Sequence, residues 1–152
     1  MIQSANKSLK NLLYHKHVLL KSSLKFLAVK PGAKYIDATY GGGGHTTGIK
    51  AAGGLVLTID QDPIVKADVH DNFIHLNKIV KTQAWQPLMG ILFDFGPSML
   101  QIGDPKRGFS VKTDGPLDMR MDPSSLHTAA TLVNQLPVSQ LTSLLENFGE
   151  IR

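Results

Sequence analysis

Four consecutive glycines, Gly41 to Gly44, stand between the alternating segment Ala33-Lys34-Tyr35-Ile36-Asp37-Ala38-Thr39 and a run of small residues from His45 to Ala52. The alternation reads as a strand and the small-residue run as a helix. Residues without Cβ at such a turn let a ligand approach the backbone, and the helix N-terminus offers N–H groups without intrahelical partners. Four glycines are also the composition of a flexible linker, but their place between a strand and a helix favours a ligand loop. Beyond Gly53-Gly54, Leu55-Val56-Leu57-Thr58-Ile59 is a continuous apolar run rich in β-branched residues. It has the pattern of a parallel strand buried on both faces, so the expected unit is βαβ with a right-handed crossover.

Around this unit the chain reads as further α/β structure. Leu12, Leu13, Val18, Leu19, Leu20, Leu24, Phe26 and Leu27 predict a helix that ends at Lys30-Pro31-Gly32. Residues 69–76 hold a short strand or turn, and Leu88-Met89-Gly90-Ile91-Leu92-Phe93 predicts a buried strand. Residues 101–125 show no periodicity, a length unusual for a loop without a task. Residues 126–134 and 138–148 predict two helices, the second with Val138, Leu141, Leu144, Leu145 and Phe148 on one face and Gly149 as its stop. No internal repeat is present.

Composition narrows the class. The 152 residues suit about one domain. With 42% hydrophobic and 18% charged residues, evenly spread, the chain is neither disordered, collagenous, a coiled coil nor a membrane protein. Cys is absent, which excludes disulfides, thiolate zinc sites and a Cys nucleophile, and favours a reducing compartment. Residues 1–36 contain seven Lys and no acid, whereas the remainder carries nine basic and twelve acidic residues. A basic N-terminal arm on a mildly acidic body can contact phosphates, or can simply be a solvated terminus. The opening segment is a poor signal peptide, so the cytoplasm is expected.

Two acids, Asp60 and Asp94, fall at the carboxyl ends of predicted strands, the edge at which open α/β sheets bind ligands. The dinucleotide pattern G-x-G-x-x-G fails, because its last glycine falls on Thr46 or Thr47, which speaks against NAD. Asp60 follows Gly41 by 19 residues, the approximate spacing at which a carboxylate accepts hydrogen bonds from ribose hydroxyls. Glycine loop and acid together point to an adenosine-containing cofactor. Asp62 reads as a turn former. A rival reading takes His15, His17, His45, Asp60 and Asp94 as ligands of a divalent ion in a hydrolase, and Asp114, Asp118 and Asp122, spaced by four, as a magnesium site. Because residues at i and i+2 do not share a helix face, the His15 and His17 pair suits a surface better than a metal.

Longer stretches carry a resemblance. Tyr35-Ile36-Asp37-Ala38-Thr39-Tyr40-Gly41-Gly42-Gly43-Gly44-His45, Ile59-Asp60-Gln61-Asp62-Pro63, Asn72-Phe73, Phe93-Asp94-Phe95-Gly96-Pro97-Ser98, Arg107-Gly108-Phe109-Ser110, Asp114-Gly115-Pro116-Leu117-Asp118-Met119-Arg120-Met121-Asp122 and Phe148-Gly149-Glu150 occur in that order. Over residues 15–152 the chain resembles the bacterial S-adenosylmethionine-dependent methyltransferases that modify the N4 amino group of a cytidine in small-subunit (16S) ribosomal RNA, and their mitochondrial relatives. The nine-residue run from Asp114 to Asp122 is the specific part of the match.

The resemblance implies a Rossmann-like class I methyltransferase fold with a mostly parallel sheet, preceded by a basic arm over residues 1–14 and truncated before the family's inserted helical domain and last strands. It assigns cofactor binding to Gly43, Gly44, His45, Asp60, Phe73, Asp94 and Gln101, with Asp60 on the ribose, Phe73 at the adenine and Asp94 near the transferred methyl. Asp94 and Ser98 are the expected catalytic positions, acting by orienting the amine. Lys106, Arg107, Lys112 and Arg120 are the expected RNA contacts and no metal is implied. The implied partner is small-subunit RNA or the 30S subunit, in the cytoplasm, or in the mitochondrion of a eukaryote. A non-catalytic remnant that binds cofactor, RNA or a partner is the alternative. Two differences from the family pattern lie inside the match. Its H-x-P-V entry motif reads His15-Lys16-His17-Val18, and only residues 64–71 separate Asp62-Pro63 from Asn72-Phe73, a length that leaves an edge of the sheet missing.

Overall fold

The structure, a computed structural model, describes residues 19–149, which divide into two compact units after Met99. His15, His17 and the basic arm lie outside the described residues.

The first unit is built on a four-stranded, all-parallel sheet of order β3-β2-β1-β4, with β1 at Lys34–Asp37, β2 at Leu55–Asp60, β3 at Val69–His70 and β4 at Leu88–Leu92. Helices α1 (Leu20–Leu27), α2 (Gly44–Ala51) and α3 (Leu76–Thr82) cover it. Strand side chains alternate between the two faces, and the sequence uses that period on both central strands. Ile36, Ala38, Leu57 and Ile59 cluster with Ile79 and Val80 of α3, whereas Tyr35 and Val56 cluster with Ile49 of α2 and with Leu24 and Leu27 of α1. Each face of the sheet therefore has its own apolar layer, which is the Rossmann-like arrangement expected.

The two central strands are as buried as their apolar runs require, but β4 is not. It pairs with β1 alone and forms an edge, so Met89 is half exposed and only Leu92 is buried. The run Leu88–Phe93 looks like a central strand because composition cannot tell which strand has a neighbour on each side. Helix α3 escapes the sequence reading altogether. Its signal is short, Leu76, Ile79 and Val80 at helical spacing, and it follows directly on a 3₁₀ turn at Phe73–His75 that Asn72 caps through its side chain.

The missing sheet edge is also corrected. β3 is present, two residues long, with Ile59 and Asp60 in register with Val69 and His70. The short connection is closed by side chains instead of by a long ladder: Asp68 Oδ2 accepts from both the backbone N–H and the hydroxyl of Thr58, whose Oγ1 accepts from the Asp68 N–H at 2.8 Å. His70 Nε2 lies 2.6 Å from the Val65 carbonyl, and Asn72 Nδ2 donates to Gln61 Oε1. These polar latches supply what ladder bonds provide in a longer strand.

The second unit contains most of α4 (Met99–Gly103), a 3₁₀ turn at Pro105–Arg107, α5 (Ala129–Gln135) and α6 (Val138–Phe148). Helix α6 matches its expected bounds, and Thr128 starts α5 by accepting the Thr131 N–H. Between the 3₁₀ turn and α5 the long irregular stretch is cross-linked by charge-assisted bonds. Arg120 grips Asp118 with Nε to Oδ1 and Nη2 to Oδ2, at 2.9 and 2.7 Å, and its Nη1 donates to the carbonyls of Pro123 and Ser125. This fork holds the Asp118 carboxyl down at about 2, against an ordinary value of 3.8. A carboxylate whose pKa is lower in the folded state than in the unfolded one stabilises the fold above the unfolded value, and the contribution fades as pH falls through the folded one. Between pH 4 and pH 2 the amide exchange protection of the Asp118–Ala130 segment should therefore fall in the wild type and stay flat in Asp118→Asn, which nuclear magnetic resonance exchange rates measure directly.

Candidate active site at the carboxyl edge of the sheet

The carboxyl ends of β1, β2 and β4 meet around the glycine loop. Chain crossings fix the ends first: Ala38 N–H donates to the Leu92 carbonyl and Tyr40 N–H to the Ile59 carbonyl. The loop is then tied down by Asp60, whose Oδ2 accepts the Gly41 N–H at 2.8 Å while Oδ1 accepts the Asp62 N–H at 2.9 Å. Asp62 in turn accepts the Ile64 N–H, which is the turn-forming role expected of it. Gly43 caps α2 with φ of +74°, and a Cβ there would lie 2.8 Å from the Tyr40 ring, so this position admits only glycine without strain.

Asp37, at the end of β1, has its carboxylate buried at the start of α2. Thr46 Oγ1 donates to Asp37 Oδ2 at 2.6 Å and the Thr39 N–H to Oδ1 at 3.4 Å. Burial pushes its pKa up, and the Thr46 and Thr39 bonds and the facing His45 pull it part of the way back. His45 is itself buried and places Nδ1 3.6 Å from Asp94 Oδ2, whose side chain is half exposed. Asp94 is held by its own backbone, its N–H donating to Thr39 Oγ1 at 2.7 Å. Ser98 sits against the loop, with its Cβ 3.6 Å from where a Cβ on Gly41 would be. Of the residues expected from sequence, Gly43, Gly44, His45, Asp60, Phe73, Asp94 and Ser98 thus belong to the first unit, at or following the carboxyl ends of its strands.

A strand-end carboxylate bound to a glycine loop that leads into a helix lies at the edge where open α/β sheets bind ligands. Residues 12–152 match the profile of the MraW methylase family. The chain belongs to that family. It is 42% identical to the ribosomal RNA small subunit methyltransferase H of Thermomicrobium roseum, over 90% of this chain and 47% of the relative. The proteins of the same name from Burkholderia ambifaria and Coxiella burnetii are 36% and 38% identical, over 93% and 91% of this chain and 50% of each relative. The chain spans about half the length of the curated relatives it matches.

Within this MraW-family chain the remaining expected residues fall in the second unit. Gln101 is buried and its amide lies 3.4 Å from the Met121 carbonyl. Lys106 and Lys112 are exposed, as an RNA contact requires. Arg107 and Arg120 are placed differently from that expectation. Arg107 is 7% exposed and donates to the carbonyls of Arg120 and Met121, and Arg120 is spent on Asp118, Pro123 and Ser125. Their task is to hold the loop, because an irregular segment has carbonyl groups that no ladder satisfies. The same geometry removes the magnesium reading of Asp118, since its carboxylate already has a cation. Among the described residues no group of three His, Cys, Asp or Glu side chains gathers in the manner of a metal site, and no helix is long and apolar enough to cross a membrane.

Sequence reasoning passed over Asp37, Thr39, Thr46, Phe93 and Phe95. For Asp37 the signal was available, because the rule that selects Asp60 and Asp94 as acids ending apolar strands selects it too. Thr39 and Thr46 act only through their partners, and nothing in one sequence pairs them.

Proposed function

We propose that this chain is the S-adenosylmethionine-binding part of a methyltransferase that modifies the N4 amino group of a cytidine in small-subunit ribosomal RNA. The observation that carries it is the Asp60 carboxylate fastened to the glycine loop at 2.8 Å, within a chain of the MraW methylase family. The names of its relatives supply the RNA class.

The residues suit the cofactor by their chemistry. Asp60 keeps lone pairs on both oxygens for ribose hydroxyls, Phe73 offers a ring to adenine, and the loop is open at Gly42, where a Cβ would meet nothing within 4 Å. The carboxylates Asp37, Asp60 and Asp94 give the edge a negative field that favours a cationic ligand. S-adenosylmethionine supplies an electrophilic methyl on sulfur. The half-exposed Asp94 accepts an N–H of the incoming amine, which orients its lone pair and receives the proton released as the N–C bond forms and the C–S bond breaks. Ser98, beside Gly41, offers a hydroxyl to the same base, which must be unstacked to arrive. Lys106 and Lys112 are free to meet RNA phosphates.

Calorimetric titration of the 152-residue chain with S-adenosylhomocysteine, followed by transfer of radiolabelled methyl to small-subunit RNA, tests the reading. Saturable binding at one site and label in the RNA are expected. Binding without transfer makes the chain a cofactor-binding remnant, and a folded chain that binds nothing overturns the proposal.

A further inference from the structure

Three phenylalanine rings from two separate segments meet at the carboxyl edge. Phe73 follows β3, whereas Phe93 and Phe95 follow β4, and the sheet order places these strands on opposite edges. Phe93 and Phe95 stack with centroids 5.6 Å apart and planes at 24°, and Phe73 sits edge-on to Phe93 at 5.6 Å and tilted to Phe95 at 5.7 Å. Phe73 packs on the core, but Phe95 is 73% exposed. A large ring held in solvent against two others contributes little to a core, and such a surface at a ligand edge suits a flat, apolar group.

The neighbours of the trio say which group. Asp71 N–H donates to the Asp60 carbonyl at 3.1 Å, and Asn72 is bonded to Gln61, so Phe73 is anchored beside the acid expected to hold a ribose. Because residues alternate along the extended end of β4, Asp94 turns to His45 while Phe93 and Phe95 turn to Phe73. The edge is thereby divided into a carboxylate side and an aromatic side. We infer that Phe95, seconded by Phe93, is a specificity residue that stacks on the purine ring of the bound nucleoside and closes the pocket that Phe73 opens. The inference rests on the cofactor reading above and adds to it the residue that selects an aromatic base.

Stacking acts on the base alone, which fixes the experiment. The intact chain is titrated with S-adenosylhomocysteine and with adenosine, in the wild type and in Phe95→Ala, Phe95→Leu and Phe95→Tyr. Loss of the ring should weaken both ligands by the same factor, about tenfold, in the Ala and Leu variants, and Phe95→Tyr should bind like the wild type. Melting midpoints should not change, since the ring is mostly exposed. Wild-type affinity in Phe95→Ala overturns the inference and leaves the cofactor reading standing. Weakening of S-adenosylhomocysteine with adenosine unchanged also overturns it, because the ring would then lie at the amino-acid end. If the wild type binds neither ligand, the cofactor reading fails and this inference fails with it.

Discussion

Replacing Asp60 by Ala should abolish saturable binding of S-adenosylhomocysteine, with an affinity loss of roughly a hundredfold or more. The carboxylate does two jobs from one position. Its oxygens accept the Gly41 and Asp62 N–H groups, at 2.8 and 2.9 Å, so it sets the shape of the glycine loop and of the turn after β2. Its remaining lone pairs are those proposed for the ribose. Hydrogen bonds to a charged group contribute about 1.5–3 kcal/mol each, and removal of the acceptor leaves the Gly41 donor without its partner. Asp60→Asn takes away only part of this. One oxygen remains and can keep the Gly41 bond, so the glycine loop should persist, while the amide nitrogen in place of the other oxygen accepts neither from the Asp62 N–H nor from a ribose hydroxyl, giving a loss nearer tenfold. Isothermal calorimetry on both variants reads the difference, with circular dichroism as the check that β2 is intact. Equal affinity in Asp60→Ala and the wild type would place the nucleoside elsewhere.

The strand-helix-strand unit around the glycines was legible because it is dictated locally. Tyr35 to Asp37 and Val56 to Ile59 are buried on both faces, as a parallel strand with a neighbour on each side demands, and all but Asp37 and Thr58 are apolar. The glycines mark their loop because φ values of +48° and +74° at Gly41 and Gly43 are costly for other residues. What was not legible depends on partners distant in sequence. The edge position of β4 follows from the absence of a further strand beside it among the described residues, which its own residues do not encode. The two-residue β3 persists because Asp68 reaches back ten positions to Thr58, and the aromatic trio joins Phe73 to residues twenty positions away. Periodicity reports on one element at a time and is blind to such pairings.

The same distinction explains the loop from Pro105 to Asp122, where the recognisable run Asp114 to Asp122 looks like a functional motif and turns out to include a structural clasp. Arg107 and Arg120 read as phosphate contacts from charge alone, yet the buried Arg107 donates to the carbonyls of Arg120 and Met121, and the partly exposed Arg120 donates to those of Pro123 and Ser125 and to the Asp118 carboxylate. Those partners were the missing information, and they come from how tightly two backbone segments approach.

That approach makes Gly108 and Gly115 sensitive positions in the second unit. Gly108 has φ of +73°, and a Cβ there would overlap the Pro116 carbonyl oxygen and lie 2.9 Å from the Asp118 nitrogen. A Cβ on Gly115 would overlap the Pro105 carbonyl oxygen. In both cases the obstacle is backbone, which has no rotamer to give way. Gly108→Ala adds the left-handed conformational cost to the overlap and should destabilise the second unit by roughly 3 kcal/mol or more, and Gly115→Ala, with overlap alone, by roughly 2 kcal/mol. Separating the two segments would also pull Met119 N–H from the Arg107 carbonyl, a bond of 3.0 Å, and loosen the Arg107 clasp on Met121. Hydrogen exchange should therefore accelerate across residues 105–130 in both variants while Ile36 and Ile59, at the centre of the sheet, keep their protection. If exchange of the loop is unchanged in Gly108→Ala, the two segments do not touch as described, and the buried position of Arg107 loses its explanation.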